Sequence, residues 1–208
     1  MKRFLSFDED EHKYSLLFDP KREIVIPSVT QLLRFGGIIN YDFISPMYAR
    51  IGTEIHDMTE AIDRGDYPRE LAEGRVQASM LAYESFLSDY EVVWDQTEEI
   101  IFSEDRFYAG TMDRLGTIDG QRVILDIKSG AKVRWHVLQL VAYAQKEEVE
   151  LASLYLQGFD YRYHVWSDKD IAEARKVWSS LLDVYWYTRV MDFRRLEKIR
   201  EEVRGYAK

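Results

Sequence analysis

The chain has no cysteine in its 208 residues, which rules out disulfides, thiolate metal sites and cysteine-ligated iron–sulfur clusters. No stretch approaches the roughly 18 consecutive apolar residues of a membrane span, so no membrane association is expected. The first residues, Met1 to Ser15, carry acids where an export signal needs an apolar run, and a cytoplasmic location is the resulting expectation. Low-complexity tracts, internal repeats and linkers are also missing. The expectation is therefore one domain over 1–208, with its core at about 45–165.

Cations are in short supply too. Against 37 Asp and Glu stand only 28 Lys and Arg, a net charge of −9. A protein that grips a polyanion by charge alone is normally basic, because each phosphate contact wants a Lys or Arg. Any such contact in this chain has to come from a local basic track. What the chain does have is apolar and aromatic material, 46% and 14% of its residues, enough for a full globular core.

The N-terminal run HKYSLLF–DPKRE–IVIPS reads as two strands around a turn at Asp19-Pro20. Ser28 is then placed to cap a short helix, VTQLLRF, ended by Gly36-Gly37. Ser45-Pro46 combines a capping hydroxyl with proline at the first helical position and starts a helix expected to run to about Arg64 and stop at Gly65. Ile51, Ile55, Met58 and Ile62 recur at helical spacing on its buried face. A second helix, from about Glu70 to Ser88, repeats the pattern with Val76, Met80, Tyr83 and Leu87.

TEEIIFS, FYAGTMDRLGTI and QRVILDIKS read as three strands, the last two joined by the hairpin signal Asp119-Gly120. A helix over about Val133 to Glu148 follows, then two strand-like runs, ASLYLQGF and YRYHVW. Ser167-x-x-Asp170 opens a long C-terminal helix. The order is helix, three-stranded meander, helix, strand, with a strand pair before and a long helix after. It describes an α/β sheet covered on at least one face by helices.

Asp126 and Lys128 share one face at the end of the third strand, with Leu125 and Ile127 on the other. Such a pair can hold a divalent cation beside an oriented water, although a lone Asp-x-Lys is more often a strand-end ion pair on the surface. If Asp119-Gly120 is a two-residue turn, Ile118 pairs with Gln121 and Asp113 falls opposite Asp126. Two neighbouring carboxylates repel unless a cation lies between them. Gly110 leaves the same strand bare three residues before Asp113. On the first long helix Gly52, His56, Thr59 and Asp63 line the flank beside the buried stripe, where the missing side chain of Gly52 lets the sheet approach His56. Gln139 and Tyr143 lie at i, i+4 on a helix that is apolar nearly all round, near Trp135 and His136, so the glutamine needs buried hydrogen-bond partners.

Taken in order, Gly52-x-x-x-His56, Gly110-Thr111-Met112-Asp113, Asp126-x-Lys128 and Gln139-x-x-x-Tyr143 resemble the motifs of the RecB-like branch of the PD-(D/E)XK nuclease superfamily. The likeness covers roughly 45–165, and IPSVTQLL is similar to the opening of phage-type members. It implies a restriction-endonuclease-like core and metal-dependent hydrolysis of DNA, by an exonuclease or by a flap or other endonuclease. A catalytically inactive nucleic-acid-binding module is the alternative of another class. The resemblance also implies Mg²⁺ or Mn²⁺ bound by His56, Asp113, Asp126 and the backbone carbonyl of Ile127. Lys128 would position the attacking water, with Gln139 and Tyr143 bordering the site. Several relatives carry an iron–sulfur cluster on four cysteines, and a chain without cysteine is similar to the cluster-free branch. Glu98 or its neighbour Glu99 stands where such families place an acid before the Gly-x-x-Asp strand. Lys132, Arg134 and Arg50 are the expected DNA-contacting cations.

Overall fold

In the computed structural model the described residues are 5–8, 13–19, 22–39, 45–66, 74–145, 147–189 and 201. They form an α/β protein with two sheets and five helices. Strands β1 (Leu5–Asp8), β2 (Lys13–Asp19) and β3 (Arg22–Ile26) make one antiparallel sheet. Helices α1 (Val29–Phe35), α2 (Pro46–Arg64) and α3 (Gly74–Asp89) follow. The second sheet has the order β4 (Val92–Ser103), β5 (Tyr108–Ile118), β6 (Gln121–Lys128), β7 (Glu150–Gln157), β8 (Asp160–Val165). Helix α4 (His136–Ala144) connects β6 to its parallel neighbour β7, and α5 (Asp168–Arg189) follows β8.

The chain divides into two compact units, each discontinuous in sequence. One comprises residues 1–39, 100–110 and 176–208, the other 40–99 and 111–175. The first has its own core of Tyr14, Leu16, Ile26, Phe107 and Ala109. In the second, Ile55 of α2 and Val76, Met80, Tyr83 and Phe86 of α3 pack on Leu125 and Ile127 of β6 and Leu154 of β7. The alternation of β6 thus turns Leu125 and Ile127 to the α2–α3 side and leaves Asp126 and Lys128 on the other. Helix α4 serves that second side, where the His136 and Tyr155 rings stack at 5.6 Å. All nine residues of α4 are buried, as an apolar circumference requires.

Helix α2 begins and ends where its sequence signals stand, with Pro46 in the first turn and Gly65 closing it at φ 74°. Ser45 makes no side-chain cap bond, so the proline alone carries the start. Ser28 and Gln31 form a complete capping box on α1, each side chain 3.0 Å from the other's backbone nitrogen. Ser167 likewise accepts from the Asp170 N–H at 3.2 Å.

Three features differ from the sequence reading. The N-terminal sheet has three strands, not two, because β1 pairs with β2 from Leu5↔Leu16 to Asp8↔Lys13; the acid-rich run after it hid the strand. Strand β4 starts at Val92 rather than Thr97, held by the 2.9 Å bond from the Asp119 N–H to the Glu91 carbonyl. Helix α4 is shorter, starting at His136 after a turn at Arg134–Trp135 and ending where Gln145 takes φ 51°. Helix α3 is described from Gly74; the expected start at Glu70 and the turn residue Pro20 lie outside the described residues.

Two glycines make opposite demands. A Cβ on Gly116 would stand 2.1 Å from the Val93 carbonyl oxygen and 2.9 Å from the Trp94 Cα, backbone that cannot swing aside. On Gly52 it would meet only the Ser129 Oγ at 3.8 Å, an ordinary contact. The close approach that the sequence attributes to Gly52 therefore leaves room for a methyl group. Urea unfolding should show Gly116→Ala losing about 3 kcal/mol and Gly52→Ala gaining about 1 kcal/mol. Equal effects from both would disprove the close β4–β5 approach.

Candidate metal centre

Three side chains meet at one place in the second unit. His56 Nδ1 of α2 lies 3.5 Å from Glu98 Oε1 of β4 and 3.6 Å from Asp113 Oδ2 of β5. One donor atom from each falls within 4.8 Å of the others. Around one small cation with ligand distances near 2.1 Å, neighbouring donors lie about 3 Å apart and opposite ones about 4 Å. Two carboxylates and one imidazole at these separations therefore fit a hard divalent ion.

Asp126, beside them at the end of β6, is 1% exposed and accepts from Lys128 Nζ at 2.8 Å through Oδ1. Its other oxygen, Oδ2, is buried without a hydrogen-bond partner. A buried acceptor left unpaired is costly, and a cation ligand is one thing that satisfies it. Asp113 is anchored through its Oδ2, which accepts from the Ile127 N–H at 2.7 Å. The contact seen at Ile127 is thus made by its N–H. The regular β5–β6 ladder runs from Ile118↔Gln121 to Arg114↔Leu125, one step short of Asp113 and Asp126.

Glu98 rather than Glu99 joins His56, and the reason lies in the backbone. Glu98 takes φ 47°, a left-handed conformation in mid-strand that breaks the alternation of β4. A sequence reading cannot see such a break, because neither residue is a glycine.

Behind Glu98 lies Arg114, which sequence reasoning did not single out. Its side chain is 0% exposed, and it donates to Asp63 Oδ2 at 2.6 Å, Glu98 Oε1 at 2.9 Å, the Asp113 carbonyl at 2.8 Å and Thr59 Oγ1 at 3.1 Å. Thr59 in turn donates to the His56 carbonyl at 2.9 Å. Tyr83 donates to Asp63 Oδ1 at 2.8 Å, and the Trp94 indole N–H donates to the Tyr83 hydroxyl at 3.2 Å. Its signal was an arginine on the β5 face that turns towards α2, where apolar residues would otherwise stand.

Burial sets the titration of these groups against their charges. Desolvation lowers the affinity of His56 for a proton, yet the Asp113 and Glu98 carboxylates prevail and raise its pKa. Burial pushes Asp126 up to about 6, with Lys128 opposing and Asp113 reinforcing the rise. Asp63 is also raised by burial, against the pull of Arg114. On α4, burial drives His136 down to about 3, and Lys128 adds to the drop. His136 is therefore neutral near pH 7, with Nδ1 3.0 Å from the Tyr155 hydroxyl.

Gln139 and Tyr143 are both buried, the amide nitrogen of Gln139 3.4 Å from the Tyr143 hydroxyl and its Oε1 without a partner. Both lie on α4. Lys132 contacts His164, Arg134 pairs with Glu173, and Arg50 is exposed on the first turns of α2. No protein-family model matches the chain, and a search of curated proteins finds no match to it. Among the described residues no helix is long and apolar enough to cross a membrane.

Arg114→Met removes the cation that Asp63 and Glu98 face and should cost about 3–5 kcal/mol in urea unfolding; a loss under about 1 kcal/mol would mean that water replaces the guanidinium. His136 carries a pH signature of known sign. Its folded pKa lies below the unfolded value, so its contribution is complete above about 6.5 and is lost as pH falls towards 3. Between pH 7 and 5 the wild type should lose about 2 kcal/mol more than His136→Gln. Parallel pH profiles for the two would show that His136 protonates freely in the fold.

Proposed function

We propose that this chain is a divalent-cation-dependent DNA nuclease, hydrolysing phosphodiester bonds as an exonuclease, on a restriction-endonuclease-like core of the PD-(D/E)XK, RecB-like type. The observation that carries the reading is the convergence of His56, Glu98 and Asp113 beside the Asp126–Lys128 pair. The succession α3, β4–β5–β6, α4, β7 is the element order expected of such a core. The motif order in the sequence supports the same assignment.

In this reading His56, Glu98 and Asp113 hold Mg²⁺ or Mn²⁺, and Asp126 offers its unpaired Oδ2 from the adjoining strand. The Ile127 carbonyl, assigned to the metal by the resemblance, belongs to the same β6 strand end. A bound divalent ion supplies Lewis acidity towards a phosphoryl oxygen. Lys128, whose ammonium is held by Asp126, is a donor for the negative charge that builds on the phosphorane. Gln139 and Tyr143 steady the site from α4. Arg50 and Lys132 supply local positive charge on a chain whose net charge is −9, and Arg134, paired with Glu173, follows Lys132 closely in sequence. A nuclease needs Lys128 in a way that a DNA-binding module of the same fold does not, because an ammonium beside a cation site is repelled unless substrate charge compensates.

End-labelled linear and closed circular DNA should both be offered to the protein. Chelator should abolish cleavage, and Mg²⁺ or Mn²⁺ but not Ca²⁺ should restore it, with linear DNA alone degraded; full activity in chelator would end the metal mechanism. Asp113→Asn should remove cleavage and weaken calorimetric Mn²⁺ binding. Lys128→Ala should bind Mn²⁺ as well as wild type yet cleave about a hundredfold more slowly in single turnover. Near-normal cleavage by Lys128→Ala would reduce the lysine to an ion-pair partner.

A further inference from the structure

Strand register carries the chemistry of β6 across the sheet. Lys128 pairs with Tyr155 on β7, and Tyr155 pairs with Arg162 on β8. One step along, Asp126 pairs with Ser153, and Ser153 pairs with His164. Residues directly opposite share a face, so Arg162 and His164 lie on the same side of the sheet as Asp126 and Lys128.

The loop after β6 returns a further cation to this edge. Lys132 Nζ lies 2.7 Å from His164 Nε2 and 4.6 Å from the centre of the Trp166 ring, which is itself fixed by an indole N–H bond to Ser153 Oγ at 3.0 Å. An ammonium donates, so His164 accepts through Nε2 and its ring is neutral. Burial first, then Lys132 and Arg162, lower the proton affinity of that ring. Lys132 is therefore held by a neutral imidazole and an aromatic face, neither of which cancels its charge.

That distinguishes it from other cations of this unit. Arg64 pairs with Glu60, Arg122 with Asp95, Arg134 with Glu173, and Arg114 with Asp63 and Glu98. Neither Lys132 nor Arg162 has a carboxylate within ion-pair distance among the described residues, and both are exposed. An acid within electrostatic reach of Lys132 is Asp170, which already accepts a 2.6 Å bond from the Ser167 hydroxyl.

We propose that Arg162 and Lys132 form a phosphate-binding edge on β8 that holds the backbone of the DNA strand next to the bond being cut. This role rests on the nuclease reading above. Two strand spacings separate Lys128 from Arg162, about 10 Å. This is longer than the step between successive phosphates of a strand, so the two residues serve different phosphates of one strand. Arg162 supplies a planar fork suited to phosphate, and Lys132 a point charge farther along β8.

The test is fluorescence anisotropy of a short labelled single-stranded oligodeoxynucleotide, titrated in EDTA over a range of salt. Arg162→Ala and Lys132→Ala should each weaken binding about threefold or more and reduce the salt slope by about 0.7. Arg122→Ala, at the other end of β6 and paired with Asp95, should change neither. In Mn²⁺ the first two should raise KM and leave kcat near wild type, because the contact is made equally before and during reaction. Unchanged slopes and KM in both variants, with wild type still binding and cleaving, would overturn the phosphate edge and leave the nuclease reading standing. A fall in kcat at unchanged KM would also overturn it, by placing the residues at the reacting centre. Wild-type protein that neither binds nor cleaves DNA would remove both.

Discussion

The guanidinium of Arg114 is the contact on which the arrangement of the second unit depends. It bonds Asp63 and Thr59 on α2, Glu98 on β4 and the carbonyl of its neighbour Asp113 on β5. Each residue of the three-membered cluster is therefore tied to it within one or two bonds: Glu98 directly, Asp113 through its own carbonyl, His56 through Thr59. A lysine has no such reach, because only a rigid fork with five donors can serve four acceptors in fixed directions. A helix packed on a sheet by apolar contacts alone can slide by fractions of an ångström. A helix bonded to the sheet through a buried cation is held in register.

The same unit concentrates acids where water is scarce. Glu98, Asp113, Asp126 and Asp63 carry up to four negative charges against the two positive charges of Arg114 and Lys128. Burial raises Asp126 to about 6 and raises Asp63 as well, while the Asp113 and Glu98 carboxylates raise the proton affinity of His56. One divalent ion would balance the cluster with His56 neutral. Charge closure thus agrees with the donor spacing.

Much of this was legible in the sequence where a local rule governs. Proline at the start of α2, the left-handed glycine at its end and the Asp119-Gly120 turn fix their elements by backbone sterics alone, and that turn sets the register that carries Asp113 towards Asp126. Helical spacing placed His56 beside the buried stripe and close to Thr59 and Asp63. Tertiary effects were not legible. Helix α4 stops at a non-glycine residue with positive φ, strand β1 hides in an acidic context, and Arg114 is buried only because carboxylates from two other elements meet it. Choosing between Glu98 and Glu99 required a backbone break that no residue type announces.

That break has an energetic logic. A non-glycine residue in the left-handed region costs about 1–3 kcal/mol and persists only where its surroundings compel it. The bond from Arg114 to the Glu98 carboxylate is charge-assisted and largely shielded from water, and such bonds contribute about 1.5–3 kcal/mol. The two magnitudes are comparable, so the strain at Glu98 is offset as long as the guanidinium is in place. Without the twist, an alternating β4 would turn Glu98 elsewhere, and the same Oε1 could not lie 2.9 Å from Arg114 and 3.5 Å from His56. The strained φ, the buried arginine and the third donor of the candidate metal centre are therefore one feature.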